Sequence, residues 1–104
     1  MAGTVKQIDA AQFENEVLKQ PGRVLVDFFA IWCPPCRTLA PVLERFAEQH
    51  ADVRVVKVDA DGNEELAERY GVRTIPTVIA FVGGKEVHRA INPQSIPALM
   101  ELTR

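Results

Sequence analysis

What the 104-residue chain lacks narrows its function first. No apolar stretch approaches the roughly 20 residues that a membrane-spanning helix requires, so no membrane partner is expected. The start, Met1-Ala2-Gly3-Thr4-Val5-Lys6, has neither the basic flank nor the apolar core of a secretory leader, and the chain reads as cytoplasmic. Runs of Lys or Arg are missing too. Twelve basic side chains stand against 14 acidic ones for a net charge of −2, which offers no stripe to a phosphate backbone and argues against nucleic acid. There is no repeat, low-complexity tract or linker, so residues 1–104 read as one domain, expected to be a monomer. With 47% hydrophobic and 25% charged residues, the composition is that of a globular domain. A chain of this length buries roughly 65% of its extended surface without a staple.

Cysteine is scarce as well. Its two copies, Cys33 and Cys36, sit together in Trp32-Cys33-Pro34-Pro35-Cys36. Crosslinking so short a loop removes little entropy from the unfolded chain, so stapling the fold is not what the pair is for.

Turn-forming residues divide the chain into short elements. A strand over 4–8 precedes a helix opened by Asp9, with Gln12 completing a capping-box pattern and Phe13 and Val17 inward, and Gln20-Pro21-Gly22 ends it. Val24-Leu25-Val26-Asp27-Phe28-Phe29-Ala30 is apolar on both alternating faces except at Asp27, the pattern of a central strand covered on both sides. Leu39, Val42, Leu43, Phe46 and Ala47 then recur at helical spacing, which sets the cysteine motif between a buried strand and a helix ending near His50. A strand over 53–58, interrupted by Lys57, leads through Asp59-Ala60-Asp61-Gly62-Asn63 to a helix with Leu66, Ala67 and Tyr70, closed by a left-handed cap at Gly71. Strands over 77–82 and 85–91 flank Gly83-Gly84, a hairpin signal that makes them antiparallel, and Ser95 caps a last helix through Leu102. The order β-α-β-α-β-α-β-β-α predicts an α/β fold, a mixed five-stranded sheet flanked on both faces by four helices.

Residues three apart on a first helical turn share a face with Cα atoms about 5 Å apart, within the range a disulfide accepts. The pair can therefore open and close with little backbone movement. A cysteine at a helix N-terminus faces unpaired N–H groups and the positive end of the helix dipole, which favour thiolate over thiol. That makes Cys33 the nucleophile, with Cys36, one turn in and less exposed, the resolving thiol. A lone C-x-x-C also fits half a metal site or two incidental thiols. Metal is disfavoured here, because His50 and His88 show no H-x₃₋₅-H spacing. A zinc or iron–sulfur site shared between two chains remains an alternative.

Several motifs in order resemble the thioredoxin family: Asp27-Phe28-Phe29-Ala30-Ile31-Trp32-Cys33-Pro34-Pro35-Cys36-Arg37, Ala40-Pro41, Lys57-Val58-Asp59, Tyr70-Gly71-Val72-Arg73-Thr74-Ile75-Pro76-Thr77 and Phe81-Val82-Gly83-Gly84. The resemblance covers nearly the whole chain. It implies the thioredoxin fold and a protein-disulfide reductase that binds no cofactor, receives electrons from NADPH through a thioredoxin reductase, and passes them to disulfide-containing proteins. Alternatives are a thioredoxin-like disulfide oxidase or isomerase or a specialised thiol-disulfide interchange protein, and a thioredoxin-fold binding subunit.

Within an apolar strand the Asp27 carboxyl is expected to be buried, where desolvation raises its pKa toward neutrality. The resemblance makes it the general base or proton relay that activates Cys36. Lys57 holds the comparable position in its own strand; its ammonium either moderates that shift or simply snorkels to water. The resemblance further implies that Pro76 is cis beside the disulfide and that Ile75 offers its backbone to an extended substrate. Ile31, Trp32, Val72, Thr74, Ile75 and Ile91 are expected to border an apolar patch around Cys33. Pro41 is structural, Phe13, Phe28, Phe46 and Phe81 are core, and His50 and His88 are a helix-end and an exposed strand residue.

The chain departs from the family pattern at three places. Pro34-Pro35 replaces the usual Gly-Pro. Two prolines remove two N–H donors that could approach the Cys33 sulfur, while their rigidity lowers the entropy of the open dithiol loop, two opposed effects on the redox equilibrium. Asn92-Pro93 stands where the family often has glycine beside the substrate groove, and a side chain at Asn92 narrows access. Phe29 replaces a tryptophan or tyrosine, which changes packing.

Overall fold

In the computed structural model, which describes residues 4–104, every residue from Val24 to Phe28 in strand β2 (Arg23–Phe29) is buried. Residues 1–3, part of the stretch read as lacking a leader, lie outside the described residues. Strand β2 is central because only a strand covered on both faces carries apolar side chains on both. Beside it β3 (Val53–Asp59) runs parallel and β4 (Thr77–Val82) antiparallel, with β1 (Lys6–Ile8) and β5 (Lys85–Ile91) at the edges of a β1-β3-β2-β4-β5 sheet.

Two cores follow from the alternation along β2. Val24, Val26 and Phe28 pack against Phe13 of α1 (Ala10–Phe13), Val17 of the turn that continues it, and Leu66 and Ala67 of α3 (Glu64–Arg69). Leu25 points the other way, toward Leu39, Leu43 and Phe46 of α2 (Pro34–Gln49), Leu99 of α4 (Ile96–Met100) and Leu102. By the same two-residue period Asp27 belongs to the face covered by α2. A carboxyl therefore lies beneath the helix that carries the cysteines.

The local signals act as read. The Asp9 carboxylate accepts the Gln12 N–H at 3.0 Å while the Gln12 side chain accepts the Asp9 N–H at 3.0 Å. Gly71 has φ 66°, and the Val72 N–H reaches back to the Ala67 carbonyl at 2.9 Å, the closing bond of a left-handed cap. In the β4–β5 hairpin Gly84 combines φ 83° with a close approach to the α1 extension: a Cβ there would lie 2.5 Å from the Leu18 carbonyl oxygen. Ser95 caps α4, its hydroxyl accepting the Ala98 N–H at 3.2 Å.

Boundaries differ from expectation at four places. Strand β1 begins at Lys6 rather than Thr4, and β3 reaches Asp59, which pairs with Phe29. The first helix widens into a π-helical turn over Glu14–Leu18, closed by the Lys19 N–H to the Glu14 carbonyl at 2.9 Å. The extra residue in that turn lets Leu18 as well as Val17 pack against the sheet. The last helix tapers into a 3₁₀ turn, Glu101–Thr103, whose Leu102 is buried. Helix α2 continues through Pro41 to His50, which caps its end and stacks on Phe46 with centroids 4.4 Å apart. His88, on β5, is half-buried rather than exposed.

Candidate functional site

Strand β2 gives way to α2 within a few residues, and the cysteine pair occupies that junction. Cys33 is the N-cap of α2 and Cys36 sits in its first turn, with Cα atoms 5.2 Å apart and a disulfide between them. Pro34 and Pro35 hold the first two helical positions and contribute no N–H. The Cys36 N–H is left to do so: it donates to Cys33 Sγ at 3.3 Å as well as to the Cys33 carbonyl at 3.1 Å. One backbone donor and the helix dipole thus act on the Cys33 sulfur, where a helix without these prolines would offer more.

The expected order of exposure is not found. Cys33 is 2% exposed and Cys36 4%: both are buried, in one cluster with Ala30 against which Phe29 and Ile75 pack. What distinguishes the two sulfurs is the helix-terminal N–H directed at Cys33.

The Ile75–Pro76 peptide is cis, Pro76 is buried, and the Ile75 carbonyl oxygen lies 3.8 Å from Cys33 Sγ. Around this contact Ile31, Trp32 and Ile91 are exposed, at 72%, 63% and 63%, and Val72 and Ile75 are half-buried. Thr74 is exposed, and its carbonyl accepts the Thr77 hydroxyl. Asn92, also exposed, donates its backbone N–H to the Pro76 carbonyl at 2.8 Å. It adopts φ 53°, the left-handed region that glycine enters freely and asparagine tolerates.

One contact was invisible in the sequence. The Trp32 indole N–H donates to Asp61 at 2.6 Å, so a carboxylate from the β3–α3 loop holds the exposed ring. Trp32, Asp61, Val72, Arg73 and Ile75 share an open groove of about 600 Å³. The two partners are 29 residues apart, and no local pattern links them.

Behind the disulfide, Asp27 is 3% exposed, and its Oδ1 has no hydrogen-bond partner. Burial pushes its pKa up to about 7, and the Lys57 ammonium opposes that rise. Lys57 is the register neighbour of Asp27 on β3, and its Nζ stands 5.3 Å from the centre of the Phe29 ring. Asp27, Lys57, Phe29 and Cys36 all border one cavity of about 230 Å³. Among the described residues no group of three or more His, Cys, Asp or Glu could hold a metal ion. No helix among them is long and apolar enough to cross a membrane.

A dithiol at this junction, with a carboxyl titrating near neutrality behind it, can exchange its disulfide with another and manage the proton of its second thiol. The thioredoxin family model matches residues 4–103. The chain is 41% identical over 100 residues to a thioredoxin of Streptomyces clavuligerus, covering 96% of this chain and 94% of that one. It is 43% identical over 100 residues to a bifunctional thioredoxin reductase/thioredoxin of Mycobacterium leprae, covering 95% of this chain and 22% of that protein. Among solved structures, a mutant thioredoxin from Halobacterium salinarum matches with a TM-score of 0.88 at 38% identity, over 97% of this chain and 88% of that one. Sequence and fold agree along nearly the whole length, and with its cysteine pair joined at the strand–helix junction this chain belongs to the thioredoxin family, a thiol-disulfide oxidoreductase that reduces protein disulfides by exchange.

Proposed function

We propose that the chain is a single-domain, monomeric cytoplasmic electron carrier in which Cys33 attacks, Cys36 resolves and Asp27 takes the proton of the Cys36 thiol. The Cys33 thiolate attacks one sulfur of a substrate disulfide; that S–S bond breaks, a substrate thiolate leaves, and a mixed disulfide forms. Asp27 takes the proton of the Cys36 thiol, and the Cys36 thiolate attacks Cys33 Sγ, expelling the second substrate sulfur. Two electrons have then passed to the substrate, and the pair is oxidised. Lys57 sets the proton affinity of Asp27, while Pro34 and Pro35 tune the redox equilibrium. Trp32, Thr74, Ile75, Ile91 and Asn92 border the substrate chain, which Ile75 receives through its backbone beside the cis Pro76.

The observation that carries this reading is a buried carboxyl with a pKa of about 7 on the same cavity as Cys36. Such a group can both accept and release a proton at neutral pH. A thioredoxin reductase using NADPH recharges the pair, a partnership supported by the Mycobacterium leprae relative, whose name joins both activities in one chain.

The test is NADPH-coupled insulin reduction with a thioredoxin reductase. Turnover is expected in the wild type and lost in Cys33→Ser, while Cys36→Ser accumulates a mixed disulfide on Cys33. Full turnover by Cys36→Ser, or mixed disulfide trapped in Cys33→Ser, would overturn the assigned order.

A further inference from the structure

The connection between β5 and α4 carries a polar cluster that the exchange chemistry does not use. Gln94 donates its side-chain N–H groups to the Pro35 carbonyl at 2.9 Å and to Asn92 Oδ1 at 2.6 Å. The Thr38 hydroxyl lies 2.9 Å from the Pro35 carbonyl and 3.0 Å from Gln94 Oε1, and its single proton serves one or the other. Gln94 is exposed, yet both of its donors are engaged within the protein. An exposed, flexible side chain is not ordinarily so committed, because ordering it opposes the bonds it makes.

These contacts complete a ring around the disulfide. From Pro35, between the two cysteines, the ring passes through Gln94 to Asn92. The Asn92 N–H then reaches the Pro76 carbonyl, and the neighbouring Ile75 carbonyl returns to Cys33 Sγ. Three segments distant in sequence therefore meet at one rim: the first turn of α2, the start of β4 and the loop after β5. The Gln94 side chain is the link between α2 and that loop.

We infer that Gln94 is a positioning residue for substrate binding, whose amide holds the Asn92 loop against the first turn of α2 so that the groove beside Cys33 keeps one width for an extended polypeptide. The inference rests on the reading of Ile75 and Asn92 as substrate-facing. Its chemistry selects by class. A polypeptide disulfide lies along the groove and meets the Asn92 wall, whereas a small disulfide reacts at the sulfurs without reaching it.

Insulin reduction recharged by dithiothreitol tests this without any reductase partner, beside the reduction of 2-hydroxyethyl disulfide by the same proteins. Gln94→Ala removes both donated bonds; Gln94→Met keeps the length of the side chain and its neutrality but has no donor. Both are expected to raise the KM for insulin by roughly three- to tenfold, the loss of one or two exposed neutral hydrogen bonds, with kcat unchanged. Both should reduce 2-hydroxyethyl disulfide at the wild-type rate and melt within about 4 °C of wild type, as surface substitutions do. A KM restored in Gln94→Met would assign the effect to bulk rather than to the donors, and would overturn the inference. So would an unchanged KM in Gln94→Ala, or an equal loss on both substrates. A wild type inactive on insulin would overturn both this inference and the substrate-facing reading, whereas active wild type with indifferent variants would overturn the inference alone.

Discussion

Replacing Asp27 with alanine removes the buried charged side chain that lies beneath α2, and the consequence depends on pH in a direction the structure sets. The carboxyl ordinarily titrates at 3.8 and in the folded protein at about 7, raised chiefly by desolvation. Between those values the folded state binds more protons than the unfolded state, so stability falls as pH rises and the loss is complete above about 7. About three pH units at ~1.4 kcal/mol each amount to about 4 kcal/mol. Truncation to alanine removes that penalty, and the space left opens onto the existing cavity beside Cys36 and Lys57. The lost packing offsets the gain by about 1 kcal/mol. Oxidised Asp27→Ala is therefore expected to exceed wild type by about 3 kcal/mol at pH 8.5 and to match it or fall slightly below at pH 4. Urea denaturation of both oxidised proteins across that range measures the difference directly. A difference independent of pH would show that Asp27 does not titrate as described, and the proton-transfer role assigned to it would fall with it.

Three further outcomes follow from particular contacts. Lys57→Met removes the ammonium that opposes the Asp27 shift, so the titration of the labelled Asp27 carboxyl carbon should move above about 7; an unmoved midpoint would refute the coupling. Gly84→Ala places a Cβ against the Leu18 carbonyl at a positive φ, and should destabilise by about 2 kcal/mol or more in urea, whereas a loss under 1 kcal/mol would mean that the hairpin tip gives way freely. At Asn92, φ 53° predicts that Asn92→Gly is tolerated while Asn92→Val loses about 1–2 kcal/mol, and equal stabilities would contradict the left-handed assignment.

The elements were legible where a local pattern carried them. The capping box at Asp9 and Gln12, the cap at Gly71 and the Gly83-Gly84 turn each depend on neighbours within a few residues, and each forms. Asp27 stood out because a single polar residue broke an otherwise apolar strand, and its burial follows from that strand's central place. Two outcomes were not legible. The burial of Cys33, which at 2% is no more open than Cys36 at 4%, involves Ile75, whose carbonyl reaches the Cys33 sulfur from 42 residues along the chain. The π-helical turn after α1 satisfies packing against the sheet that no helical periodicity announces.

By itself the sequence determined which residues face which side of each element and where the reactive pair sits, because a two-residue or 3.6-residue period acts over short stretches of chain. A disulfide with no stapling work to do, at the mouth of a helix, was already a statement about chemistry. Only the tertiary structure decided which distant groups meet at that pair. The sheet order β1-β3-β2-β4-β5 sets Lys57 beside Asp27, the β3–α3 loop brings Asp61 to Trp32, and the loop after β5 brings Gln94 to Pro35 across 59 residues of chain. Those partners are chosen by strand pairing and burial of the whole core, and no local signal specifies them.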